Sequence, residues 1–146
     1  MTRLAVVAAG KLRDAGLQAL CDDYVRRIQP FAPLEHLELR DAPGLRARWN
    51  DRSRGLGPRV LLDERGEQID SRGLARWIDT WRSGGARQVS FYIGDADGFT
   101  GEDRDGADRL LALSRLTLPH RLARLILLEQ LYRAATMLAG HPYHHD

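Results

Sequence analysis

Apolar and polar positions along this 146-residue chain follow two rhythms. Leu4 to Ala9 is an unbroken apolar run closed by Gly10. Such a run suits a strand covered on both faces, as in a parallel sheet. From Asp14 the spacing lengthens, and Leu17, Leu20, Cys21, Tyr24, Val25 and Ile28 recur at helical intervals until Pro30 stops them. Leu34, Leu37 and Leu39 predict a second, weaker strand, and Val60-Leu61-Leu62-Asp63 a third. Ser71 is placed to cap a helix with Leu74, Trp77, Ile78 and Trp81 on one face, ended by Gly84-Gly85. Val89 to Ile93 predicts a fourth strand running into the turn Gly94-Asp95-Ala96-Asp97-Gly98. A short helix over Asp103 to Leu113 and a brief fifth strand at Leu116-Thr117-Leu118 follow. Pro119 then opens a long helix from His120 to about Ala139, with Gly140 as its stop.

Strands alternating with helices predict an α/β fold with a mostly parallel sheet, in a single domain of 1–146. In open sheets of this kind ligands bind beyond the carboxyl ends of the strands. Three loops fall there: the one after Leu62, the turn at Gly94–Gly98, and Leu113–Pro119. If their strands are neighbours, they share a pocket. The last helix is apolar around much of its circumference and must be packed on more than one side. A sheet on one face and a second subunit on another would satisfy it.

Composition changes this picture only a little. A net charge of +2 is weak support for nucleic acid. The distribution says more. Arg40, Arg46, Arg48, Arg52, Arg54 and Arg59 crowd a stretch rich in Gly and Pro, which reads either as a mobile basic loop or as a solvated linker. One cysteine, Cys21, permits no internal disulfide and fits a reducing cytoplasm. No apolar run is long enough to span a bilayer, and the first run reads better as a buried strand than as a signal peptide.

Candidate chemistry is sparse. The turn at Gly94 matches neither a dinucleotide fingerprint nor a P-loop. A glycine at a strand end permits close approach of a ligand, and it equally serves a plain tight turn. Asp95 and Asp97 lack the register of a calcium loop. His141, His144 and His145 lie in a tail without nearby cysteines, so no metal site is expected. Tyr143 and Pro142 are stiff enough to dock the tail, against the alternative that it frays. His144 has the chemistry of a near-neutral base. Glu129 and Arg133 stand four apart on the last helix and can pair. No serine or cysteine nucleophile constellation appears.

The block Leu113-Ser114-Arg115-Leu116-Thr117-Leu118-Pro119-His120, Arg124, then Leu128-Glu129-Gln130-Leu131-Tyr132-Arg133-Ala134 and His141-Pro142-Tyr143-His144 closely resembles the ribosomal RNA large subunit methyltransferase H family. The likeness extends back through Val89–Gly94 and Leu61–Gly66 to the first strand. It implies a SPOUT α/β methyltransferase with a trefoil knot near the C-terminus, a homodimer working in the cytoplasm, with no membrane or DNA partner. The implied donor is S-adenosylmethionine. The implied substrate is N3 of a pseudouridine in helix 69 of 23S ribosomal RNA, in the assembled ribosome.

By the same resemblance, Leu62, Gly94 and the run Leu113, Ser114, Arg115, Leu116, Thr117 and Leu118 bind the cofactor. Tyr143 and His144 reach the partner subunit's site. His144, Arg133 and Arg124 are the expected catalytic residues. Tyr143, His145, Arg46, Arg48, Arg52 and Arg54 are the expected RNA contacts. Two positions depart from the family pattern: Asp95 replaces a second glycine, and His145 replaces a terminal arginine. The alternative function is a non-catalytic RNA- or ribosome-binding relative.

Overall fold

The computed structural model describes residues 2–51, 57–95 and 97–144, and the side chain of His144 is not described. Five strands and five helices follow the order β1 (Arg3–Ala9), α1 (Ala15–Ile28), β2 (Leu34–Leu39), α2 (Ala42–Asn50), β3 (Arg59–Glu67), α3 (Ser71–Ser83), β4 (Gln88–Ile93), α4 (Gly101–Asp105), β5 (Arg109–Leu111) and α5 (His120–Leu138). A 3-10 turn, Pro142–His144, ends the described chain. All five strands are parallel, in the order β2-β1-β4-β3-β5.

Alternation along the strands divides the core between two faces. Leu4, Val6 and Ala8 of β1 join Val89, Phe91 and Ile93 of β4 beneath α1, α3 and α5. Val7 and Ala9 with Leu61 and Tyr92 pack under α2, through Leu45 and Trp49. A sheet buried on both faces explains why β1 and β4 read as continuous apolar runs.

Three helix starts are fixed by aspartates. Asp14, Asp41 and Asp70 each accept a hydrogen bond from a first-turn N–H, those of Leu17, Gly44 and Gly73. The cap of α3 is therefore Asp70 rather than Ser71. The Ser71 hydroxyl instead donates to Gln130 Oε1 of α5, at 2.5 Å.

The expected basic loop is largely helix. Asp41, Pro43 and the Leu45/Trp49 pair at helical spacing build α2 against the sheet. The expected helix over Asp103–Leu113 is split: Gly106 ends α4 by donating back to Glu102 and Asp103, and Arg109–Leu111 become β5 beside Val60–Leu62. Leu116–Leu118 is irregular rather than a strand, with Leu116 75% exposed.

Two neighbours within the same chain, α1 and α3, flank α5 over the sheet. Leu127, Leu128, Leu131 and Ala134 are thus buried within the chain, whereas Leu122 is exposed and Leu125, Ile126 and Leu138 are only partly covered.

Beyond Leu62 the third strand bends, and Glu67 rather than its neighbours pairs with Leu111. Gly66 sits at this crossing. A Cβ there would stand 2.7–2.8 Å from the backbone of Leu110 and Leu111, with no flexible side chain to give way. Gly66→Ala is therefore expected to destabilise the fold by about 2 kcal/mol or more, lowering Tm by several degrees. A thermal melt matching the parent chain would refute this packing account.

Candidate active site

Parallel strands put every carboxyl end at one edge of the sheet. There the second half of β3, past its pairing with β4, and the loops after β4 and β5 line a cleft of about 590 Å³. This lies within the roughly 300–1,000 Å³ usual for small-molecule sites. Leu62 and Asp63 come from the middle of β3, just past its pairing with β4 at Leu61. Ile93, Gly94, Asp95 and Phe99 come from β4 and its loop. Leu113, Ser114, Leu116, Thr117 and Leu118 form a third wall, with His120 and Ala123 from the first turn of α5. The three segments read from the sequence as loops thus converge, although they are distant along the chain; the first, after Leu62, continues as strand to Glu67 instead of turning away as a loop.

Local interactions shape each wall. At Gly94 the backbone approaches the Phe99 ring so closely that a Cβ would stand 3.3 Å from it. Gly98 turns the chain back with φ +68°, a conformation that glycine adopts freely. Asp95 accepts from the Asp97 N–H at 3.1 Å, closing a turn on the cleft rim. Ser114 Oγ accepts from Leu116 N–H at 2.9 Å and bends the third wall. Asp63, in the middle of β3, accepts from Arg104 at 3.3 Å, while Arg104 also donates to the Phe99 carbonyl at 2.7 Å. This pair joins the first two walls.

Sequence reasoning missed Asp63, Phe99 and Arg104 as cleft residues. Only Asp63 carried a signal, as the last residue of a strand pattern.

Among the expected cofactor residues, Arg115 alone does not line the cleft. Its Nε donates to Gln68 Oε1 at 3.0 Å. Nor do the expected catalytic arginines. Arg124 is buried, its side chain 2% exposed; it donates to Glu38 at 2.6 Å and to the Gly10 carbonyl at 3.0 Å. Its geometry is that of a structural clamp. Arg133 pairs with Glu129 at 2.7 Å, near the far end of α5.

The tail docks beside it. Tyr143 lies 4.4 Å from the Tyr132 ring, with Arg27 and Arg133 over its face at 5.6 and 5.3 Å. Burial and a hydrogen bond with Tyr24 push the Tyr143 hydroxyl up to about 12. His141 packs edge-on against Phe31. At 1.5 Å per residue, Glu129 and Arg133 stand roughly 9–15 Å along the axis from Ala123, so the tail is displaced from the cleft of its own chain.

The expected RNA contacts divide as well. Arg46 is paired with Asp103 at 3.0 Å. Burial opposes the charge of Asp103, but hydrogen bonds from Thr100 and the nearby Arg46 hold its carboxyl below the usual range. Arg48 is half-buried on α2, with its Nε enclosed. Arg59 is buried flat on the Trp49 ring at 3.7 Å and donates to the Trp49 carbonyl. Arg52, Arg54 and His145 lie outside the described residues. No set of three or more His, Cys, Asp or Glu side chains suited to a metal gathers among the described residues.

A family model described as a predicted SPOUT methyltransferase matches residues 2–144. The chain belongs to the SPOUT methyltransferase family. Curated relatives match end to end. The chain is 41% identical to a "Ribosomal RNA large subunit methyltransferase H" of Geobacter sulfurreducens, covering 98% of this chain and 99% of the relative. It is 43% identical to one of the same name in Thiobacillus denitrificans, covering 99% of both.

Solved structures show the same SPOUT-type fold at low identity. A probable methylase family protein from Haemophilus influenzae aligns over 97% of this chain and 70% of its own, with TM-score 0.61 and 10% identity. A probable methyltransferase from Bordetella pertussis aligns over 92% and 96%, with TM-score 0.56 and 12% identity.

Truncating one partner of a buried ion pair leaves the other charge uncompensated. Arg124→Ala is therefore expected to cost about 3–5 kcal/mol in denaturant unfolding, with Arg124→Ala/Glu38→Ala costing less than the sum of the singles. Additive losses would show that the pair is not coupled. His36 gives a pH signature. Burial, then the positive field of Arg124, lowers its pKa from 6.5. The unfolded chain thus takes up this proton first, and stability falls as pH drops below about 6.5, by at most about 1.4 kcal/mol per pH unit. His36→Gln should flatten that part of the stability–pH curve; an unchanged slope would assign the effect to other groups.

Proposed function

We propose that this chain transfers a methyl group from S-adenosylmethionine to large-subunit ribosomal RNA, at N3 of a pseudouridine in helix 69 of 23S ribosomal RNA, as a cytoplasmic homodimer. The observation that carries this reading is the convergence of the second half of β3 and the loops after β4 and β5 on one cleft in a chain of a methyltransferase family. The full-length relatives named for ribosomal RNA large subunit methylation support the substrate class. No helix among the described residues is long and apolar enough to cross a membrane.

The lining fits such a donor. Leu62, Leu113, Leu116 and Leu118 offer apolar walls, and Gly94 offers bare backbone where a side chain would press on Phe99. Leu62, Gly94 and residues 113–118 would hold it, Arg115 through its backbone since its side chain is turned to Gln68. S-adenosylmethionine supplies a methyl group already activated by sulfonium charge, so alignment matters more than a protein nucleophile.

The chain must orient the base and accept its N3 proton. We assign that to the tail, with His144 as acceptor or orienting group and Tyr143 and His145 against the RNA. Arg133, fixed by Glu129, is suited to developing negative charge. Because the tail sits away from its own cleft, its part in the reaction requires the cleft of a second copy. The trefoil knot implied by the family resemblance belongs to the same reading, and the tight crossing at Gly66 is compatible with it.

Calorimetry with S-adenosylmethionine should give saturable one-site heat, and ribosomes from cells lacking the gene should accept methyl groups on helix 69, read by mass spectrometry. Absence of donor binding, or an unchanged helix 69 mark in the deletion, would defeat the assignment. If the site is shared, Gly94→Val and Tyr143→Ala subunits should each be inactive alone. Randomly mixed, they should regain about one quarter of parental activity, since half the dimers then hold one intact site. No recovery on mixing would place tail and cleft in one chain.

A further inference from the structure

The Arg124–Glu38 pair joins three segments that the chain keeps far apart. Leu12 N–H donates to Glu38 Oε2 at 2.9 Å, Gly10 N–H donates to the Leu39 carbonyl at 2.6 Å, and Arg124 of α5 bonds both Glu38 and the Gly10 carbonyl. Each segment carries exposed positive charge: Lys11 and Arg13 after β1, Arg40 after β2, and Arg121 one turn before Arg124. None of these four side chains has an ion pair or hydrogen-bond partner among the described residues.

The carboxylates adjoining them in sequence are already engaged. Asp14 and Asp41 cap α1 and α2, and Glu38 is bound to Arg124. This differs from α2, where Arg46 is neutralised by Asp103. It differs also from the cleft, where four carboxylates, Asp63, Glu64, Asp95 and Asp97, outnumber two arginines, Arg65 and Arg104. The first turn of α5 contributes to both places, with His120 and Ala123 in the cleft and Arg121 exposed.

We infer that Lys11, Arg13, Arg40 and Arg121 form a rim beside the cleft that binds the phosphate backbone of the RNA substrate. The inference rests on the RNA-methylating reading above and replaces α2 as the main electrostatic contact. Contacts of this kind set register and affinity without reading sequence, and their contribution is salt-dependent because each neutralised phosphate releases counterions. The buried ion pair ties together the three backbone segments that carry these side chains.

The test compares two charge-matched double variants for binding to assembled ribosomes from cells lacking the gene. Lys11→Ala/Arg121→Ala removes rim charge. Arg3→Ala/Arg87→Ala removes two exposed charges from the amino edge of the sheet. At about 0.1 M salt the rim variant should bind about tenfold more weakly, with a log affinity–log salt slope shallower by about one to two. The amino-edge variant should bind like the parent chain, and both should keep the parental affinity for S-adenosylmethionine. Equal losses in the two variants would reduce the effect to net charge. Parental affinity in the rim variant, with the parent methylating RNA, would overturn the rim alone. A parent chain that binds S-adenosylmethionine but neither binds nor methylates RNA would overturn the functional reading and the rim with it.

Discussion

All five strands run the same way, and this single constraint places the chemistry. Parallel pairing needs a crossover after every strand, and each crossover leaves the sheet at the same edge. The loops after β4 and β5 therefore share one rim with the part of β3 that runs past its pairing with β4, and the cleft forms there. Helices on both faces complete the arrangement by burying β1 and β4 entirely, so the edge that carries the loops is rigid. Cleft geometry is inherited from strand order: β3 lies between β4 and β5, and its second half supplies the floor against which the two loops close.

Charge is spent in two different ways on this scaffold. Arg124, Arg59 and Arg104 are structural. Each ties strand ends or loops together through carbonyls and carboxylates, and burial makes each pairing costly to break. Lys11, Arg13, Arg40 and Arg121 are left exposed around the segments that Arg124 ties. A nearly neutral protein can in this way present a local basic surface: several arginines are paired with carboxylates elsewhere, and a few cations stay outside any ion pair beside the site.

The helix α5 links the parts. Its first turn closes the cleft, its middle is buried between α1 and α3, and its last turns carry the aromatic seat for the tail. Tyr132, Arg27 and Arg133 fix Tyr143 there. Cleft and tail are held by one rigid element yet kept apart by its length. That separation motivates a site completed between two copies.

The order of strands and helices, the parallel class and the three cleft segments were legible in the sequence, because apolar periodicity reports burial directly. The C-terminal block pointed to the family through resemblance of its residues, which periodicity does not report. Periodicity misjudged α2, since two buried residues, Leu45 and Trp49, make too short a pattern to stand out among arginines. It also merged α4 and β5, since three apolar residues in a row fit either element. Which arginines are free and which are buried was decided only by the tertiary structure. Composition counts charges, whereas pairing depends on which carboxylate the fold brings within reach; Glu38 and Arg124 stand 86 residues apart in sequence and 2.6 Å apart in the fold.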